Sequence, residues 1–202
     1  MTRLPFNPQD IVVKTDAPAY PLDMRVPVTL ALTEAQAAAA SATGVHAAVT
    51  DTGEEQVITT GITNPPFPRN ITATAGGTAT DIKAIQVIIA GTNMAGEAIT
   101  ETLPVFTENT AGIVTGSKIF ATVTSITIPA HDGTGATTAI GFGSKIGLPV
   151  KLDRNTVSAA YLDKAKEGTA PTVTVSASAL ESNGVTLNSA LNGKAVDIEF
   201  TV

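Results

Sequence analysis

Hydrophobic and polar positions alternate with period two through much of this chain. Ile85, Val87 and Ile89 alternate with Ala84, Gln86 and Ile88, and beyond Thr92-Asn93-Met94-Ala95-Gly96 the residues Ile99, Glu101 and Leu103 alternate with Thr100 and Thr102. Two such runs, separated by a few residues that include Asn and Gly, predict a β-hairpin. Further strands are expected near 69–75, 112–120, 123–129 and 137–142, with Gly76-Gly77 and residues 131–138 as turns. In the tail, Val173 and Val175 alternate with Thr172, Thr174 and Ser176, and Asn183-Gly184 is a turn dipeptide. The cleanest half-buried strand is the last. It puts Val196, Ile198, Phe200 and Val202 on one face and Asp197, Glu199 and Thr201 on the other.

Three stretches read differently. Val45–Thr50 and Gln56–Ile62 flank Asp51-Thr52-Gly53-Glu54-Glu55 and are expected to form a second hairpin. Leu32-Thr33-Glu34-Ala35-Gln36, followed by four alanines, carries the best helix signal of the N-terminal half, with Thr33 as cap and Gly44 as stop. An extended form competes there, because the segment borders strands. Residues 156–166 space Val157, Ala160 and Tyr161 for one helical face, against a strand reading from Thr156-Val157-Ser158.

Residues 1–28 carry five prolines, which rule out a long helix or a central strand. The segment is expected to run as an extended arm. Leu4, Phe6, Ile11, Val12, Val13, Tyr20, Leu22 and Met24 are its candidate partner-binding residues, because a purely solvated tail is poor in large apolar groups. The expectation for the whole is all-β: a β-sandwich or jelly-roll-like domain with an extended N-terminal arm and at most one or two short helices. Its parts are an arm (1–30), a main β domain (31–149) and a C-terminal β segment (150–202) packed on that domain. No helical crossovers recur between strands, which disfavours βαβ units.

The 202 residues suffice to bury roughly 70% of the unfolded chain's surface without a staple. There is no cysteine, which removes disulfides, thiolate metal sites and Cys nucleophiles. The formal charge is −6 and no basic cluster exists, which disfavours a grip on nucleic-acid phosphates. Only 15% of residues are charged, against a typical quarter. Such a surface suits coverage by neighbouring subunits. No apolar run reaches the roughly 18 residues of a membrane helix, and MTRLPFNPQD lacks the apolar stretch of a signal peptide.

Candidate chemistry is thin. Asp51-Thr52-Gly53 is the triplet of aspartic proteases, but that chemistry needs two carboxylates sharing a proton, and Asp-Thr-Gly is also ordinary turn sequence. His131-Asp132 with Ser117, Ser125 or Ser144 would need a Gly-x-Ser-x-Gly elbow, and none is present. Two histidines without cysteine match no zinc spacing, and no calcium-loop motif occurs. Gly141-Phe142-Gly143-Ser144-Lys145-Ile146-Gly147 has the wrong order for a phosphate loop. Asn70-Ile71-Thr72 is a formal glycosylation sequon. Six Phe, two Tyr and no Trp argue against a stacking platform. The reading is therefore non-enzymatic, with no catalytic, metal or cofactor residues.

Residues 68–77 (PRNITATAGG), 88–93 (IIAGTN), 96–103 (GEAITETL), 128–137 (IPAHDGTGAT), 140–149 (IGFGSKIGLP) and 169–175 (TAPTVTV) resemble tailed-bacteriophage virion structural proteins. The resemblance covers roughly residues 57–202 and leaves the arm outside it. Within that group the chain is most similar to capsid decoration (cement) and head-fibre-type proteins. The resemblance implies a place on the capsid surface, made in the host bacterial cytoplasm. It also implies contacts with the major capsid protein and with copies of itself, commonly as a trimer, and none with nucleic acid or membrane. A tail or neck component such as a tail tube subunit is the alternative, and a receptor- or carbohydrate-binding β module is a third.

Overall fold

In the computed structural model, residues 25–202 are described, together with two short strands, β1 (Val12–Val13) and β2 (Leu22–Asp23), which pair antiparallel. Then follow β3 (Pro27–Leu32), β4 (Ser41–Thr50), β5 (Gln56–Ile58), β6 (Arg69–Gly77), β7 (Ile88–Thr92) and β8 (Ala98–Thr102). The longer strands β9 (Gly112–Phe120), β10 (Thr122–Ile128) and β11 (Ala136–Gly147) come next. The chain ends with β12 (Val157–Leu162), β13 (Ala165–Lys166), β14 (Thr172–Thr174), β15 (Gly184–Thr186) and β16 (Val196–Thr201). Among the described residues the helical content is two single 3-10 turns, at Ala79–Asp81 and Leu180–Ser182. The fold is all-β, as the alternation predicts.

Two sheets face each other. One runs β9-β6-β11, with β4 and β15-β14 sharing the far side of β11; the other runs β5-β10-β7-β8. Their facing sides enclose a core of Val45, Ile71, Ala73, Ile140 and Phe142 from the first sheet and Val87, Ile89, Val123, Ile126 and Ile128 from the second. The alternation of Ile85, Val87 and Ile89 is the burial pattern of this core, and each of the three is buried. A third sheet, β13-β12-β16-β3, closes a second core around Ile146, Leu148, Val185, Val196, Ile198 and Phe200. β11 runs through both: Ile140 and Phe142 lie in the first core, Ile146 in the second.

The predicted hairpin of β7 and β8 forms, with Ile89 opposite Glu101. The second predicted hairpin does not. β4 pairs with β11 and β5 with β10, so residues 45–50 and 56–58 lie in different sheets. The reason is Asp51, which is buried and turns the chain from one layer to the other through backbone hydrogen bonds.

The alanine-rich helix is also absent. Leu32 ends β3, and a single α-turn follows, closed by Ala37 N–H donating to Thr33 O. Thr33 and Gln36 exchange hydrogen bonds as a capping box would. A continuing helix would need Gln36 O for Ala40 N–H and Ala38 O for Ala42 N–H. Arg69 takes both carbonyls instead, and β4 begins at Ser41.

Residues 156–166 adopt the strand alternative. Asp163 and Lys164, both at positive φ (52° and 65°), form the two-residue turn between β12 and β13. β11 continues five residues beyond the expected end at 142, straight through the glycine-rich run. It bulges against β6 between Phe142 and Ile146. β16 is interior to its sheet, between β12 and β3. Residues 27–30, read with the arm, belong to β3, and Val26 and Val202 exchange N–H···O bonds at 3.0 Å to extend that pairing.

Candidate functional site

The buried polar side chains converge on their own backbone. Asp51 Oδ1 accepts the N–H of His131 at 2.9 Å and Oδ2 that of Gly53 at 2.8 Å. The imidazole of His131 does not face Asp51. Its Nδ1 accepts Lys83 N–H at 3.1 Å, which leaves the ring proton on Nε2, 2.9 Å from Thr138 Oγ1. The ring stacks on Phe106 with centroids 6.1 Å apart. Burial lowers the His131 pKa, against the opposing charges of Asp51 and Asp132. Asp132 pairs with Lys83 at 3.1 Å on the surface rather than orienting the ring. The Asp-Thr-Gly triplet and the His-Asp pair thus sit in one cluster whose contacts hold turns together.

Glu101, on β8, reaches across to β9. Its Oε1 accepts the N–H of Ser117 at 2.6 Å, the Ser117 hydroxyl at 2.8 Å and the N–H of Lys118 at 3.1 Å. Ser117, weighed as a nucleophile, is therefore a hydrogen-bond donor to a carboxylate that also holds its backbone. Nearby is a groove of about 680 Å³ along β6, β9 and β11, lined by Asn70, Thr72, Thr115, Ser117, Phe142 and Lys145 among others. Lys145 Nζ donates to Ser117 O at 3.2 Å. Burial lowers its pKa, while Glu101 acts in the opposite sense. Asn70 is buried, donates to Gly116 O and accepts from Lys145 N–H, so the sequon's acceptor amide is inside the fold. Two glycines line the groove because buried side chains occupy the space beside them: a Cβ at Gly143 would lie 2.6 Å from Asn70 Oδ1, and one at Gly116 2.6 Å from Glu101 Oε2.

Three buried groups escaped sequence reasoning. Arg69 is fully buried with its guanidinium 5.3 Å from the centre of the Phe142 ring. Desolvation pushes its pKa down to about 10. Its ligands are the carbonyls of Gln36, Ala38 and Gly143, which no local pattern announces. Glu101 shares a face with Ile99 and Leu103 in the alternating strand, but nothing local names its partners on β9. Asn183, read as half of a turn dipeptide, is a fully buried hub: Oδ1 accepts Leu152 N–H and Ser176 N–H, and Nδ2 donates to Ser176 O and Ala179 O. An Asn-Gly turn signal and a buried Asn look identical from sequence.

Of the candidate partner-binding residues, Val12, Val13 and Leu22 lie in the β1–β2 strand pair. Leu4, Phe6, Ile11, Tyr20 and Met24 lie outside the described residues. Among the described residues, the exposed large apolar side chains are Val57, Ile88, Val105 and Ile113. Among the described residues there is no cluster of three or more His, Asp or Glu suited to a metal ion, and no helix long and apolar enough to cross a membrane. No family model, curated protein or solved structure matches the chain.

Proposed function

We propose that this chain is a non-enzymatic structural protein of a tailed-phage virion, a capsid decoration (cement) protein that stabilises the head through contacts between subunits. The observation that carries the reading is the use made of the buried polar groups. Asp51, Arg69, Asn70, Glu101 and Asn183 each bond to backbone of the same chain. Such groups fix turns and sheet edges, which is what a protein that works by shape requires. The phrases that resemble virion proteins fall in this scaffold: residues 68–77 cover β6 and residues 140–149 the end of β11. A low charge content and a net charge of −6 suit a surface met by protein rather than nucleic acid.

In this reading the partners are the major capsid protein and further copies of the chain, in a trimer on the capsid surface. The segment before Arg25 serves as the lashing element, its apolar side chains supplying contact area on docking.

The test is co-sedimentation with phage heads assembled from the major capsid protein of the same genome, comparing the full chain with residues 25–202. The full chain is expected to pellet with heads, and the shortened chain to remain folded by circular dichroism but pellet several-fold less. Association with tails instead would replace the head assignment by a tail or neck role. Absence of binding to either particle part would overturn the virion reading.

A further inference from the structure

β9 stands at one edge of its sheet, and its two halves are finished differently. The second half is closed. Glu101 takes the N–H groups of Ser117 and Lys118, and Lys118 Nζ donates to Thr100 O at 2.9 Å. Charged side chains of this kind are how natural sheets stop further pairing.

The first half is open. Gly112, Ile113, Val114 and Thr115 lie opposite Ala75, Thr74, Ala73 and Thr72 in unbroken register. These four residues carry no charge and no proline, and Ile113 is 59% exposed. Among the described residues, no other backbone bond reaches Gly112–Thr115. The opposite edge of the same sheet is better protected. Thr63 N–H already donates to Val45 O on β4 at 2.9 Å, and β4 departs from regular register twice along β11.

The chain also contains a strand pair in need of a sheet. β1 and β2 pair over two residues each. A hairpin that short is not stable alone in water and needs a third strand. Asp23 is four residues before Pro27, so the end of the hairpin is tethered within about 14 Å of the start of β3. β3 borders the second core, whereas Val114 packs on the first. The hairpin is thus tethered to the strand that borders the second core, while the open edge flanks the first.

We infer that the β1–β2 hairpin of one copy adds to the open half of β9, Gly112–Thr115, in a second copy through main-chain hydrogen bonds. This deepens the assembly role proposed above and rests on it for its setting. Strand addition needs only backbone and a matching apolar face. The contact is head-to-tail, so it closes into a ring when the rotation between copies permits, a trimer being the closure the proposed role expects.

The absence of cysteine makes a direct test clean. Full-length chains carrying Val13→Cys and full-length chains carrying Ile113→Cys are co-expressed and treated with a short bismaleimide. Each chain has one thiol, so a hetero-linked product joining residues 13 and 113 arises only between copies. That product is expected on peptide mass spectrometry. Sedimentation equilibrium supplies an independent reading: Ile113→Lys places a charge on the edge and is expected to weaken self-association at least about tenfold, with an unchanged circular dichroism spectrum. A full chain that stays monomeric, an oligomer that survives both Ile113→Lys and removal of residues 1–24, or links formed only to other sites would overturn the inference. None of these outcomes depends on phage heads, so failure here is distinct from failure to bind a particle.

Discussion

Asp51 holds the backbone of His131 by a 2.9 Å hydrogen bond across eighty positions of sequence. The same carboxylate caps Gly53, so one buried side chain sets the path from β4 toward β5 and anchors the turn before β11. Replacing it by Ala leaves the His131 N–H buried without an acceptor. Asp51→Ala is expected to lose about 2 kcal/mol of stability, read as a lower urea midpoint at unchanged slope. An unaltered midpoint would refute this account of the turn.

His131 is built to be neutral. Its Nδ1 accepts a backbone N–H and its ring lies against Phe106, so a second ring proton breaks a hydrogen bond in a desolvated site. The unfolded ring titrates near 6.5, and burial lowers the folded value. Between those two values the unfolded state binds more protons, so stability rises with pH there. The contribution is complete above 6.5 and is lost as pH falls below it. Thermal melts from pH 7.5 down to about 5 should show this loss, and His131→Gln should flatten that part of the profile.

Arg69 bridges three carbonyls and lies over an aromatic ring, and among the described residues no carboxylate is a hydrogen-bond partner. A lysine keeps the charge but lacks the planar fork that reaches Gln36 and Ala38 together. Arg69→Lys is expected to cost about 2–4 kcal/mol, and hydrogen exchange should quicken first in residues 36–42. A near-neutral effect would show that the guanidinium does not hold this turn.

Asn183 supplies both acceptor and donor to the backbone around it, so no apolar residue replaces it. Asn183→Ala is expected to lose at least about 2 kcal/mol in chemical denaturation. The exposed Asn188→Ala serves as the control and should leave the midpoint within about 0.5 kcal/mol of the parent.

What sequence reveals here follows from range. The bounds of β9, Gly112–Phe120, match the strand expected there. The β7–β8 hairpin was legible because its turn is local. The separation of β4 and β5 into different sheets was not, because Asp51 answers to His131, far away in sequence. The alanine run reads as helix until Arg69 removes the carbonyls that helix needs. The same limit hid the site: the open half of β9 is defined by where Glu101 stops, and Glu101 lies on another sheet.

β11 crosses from one hydrophobic core into the other without a break in the chain. The two lobes therefore have no hinge between them along this strand, and pulling on either loads the same keel. A calorimetric scan should accordingly give one endotherm whose van't Hoff and calorimetric enthalpies agree. Strain introduced at one lobe passes to the other as a shear on the β6–β11 ladder.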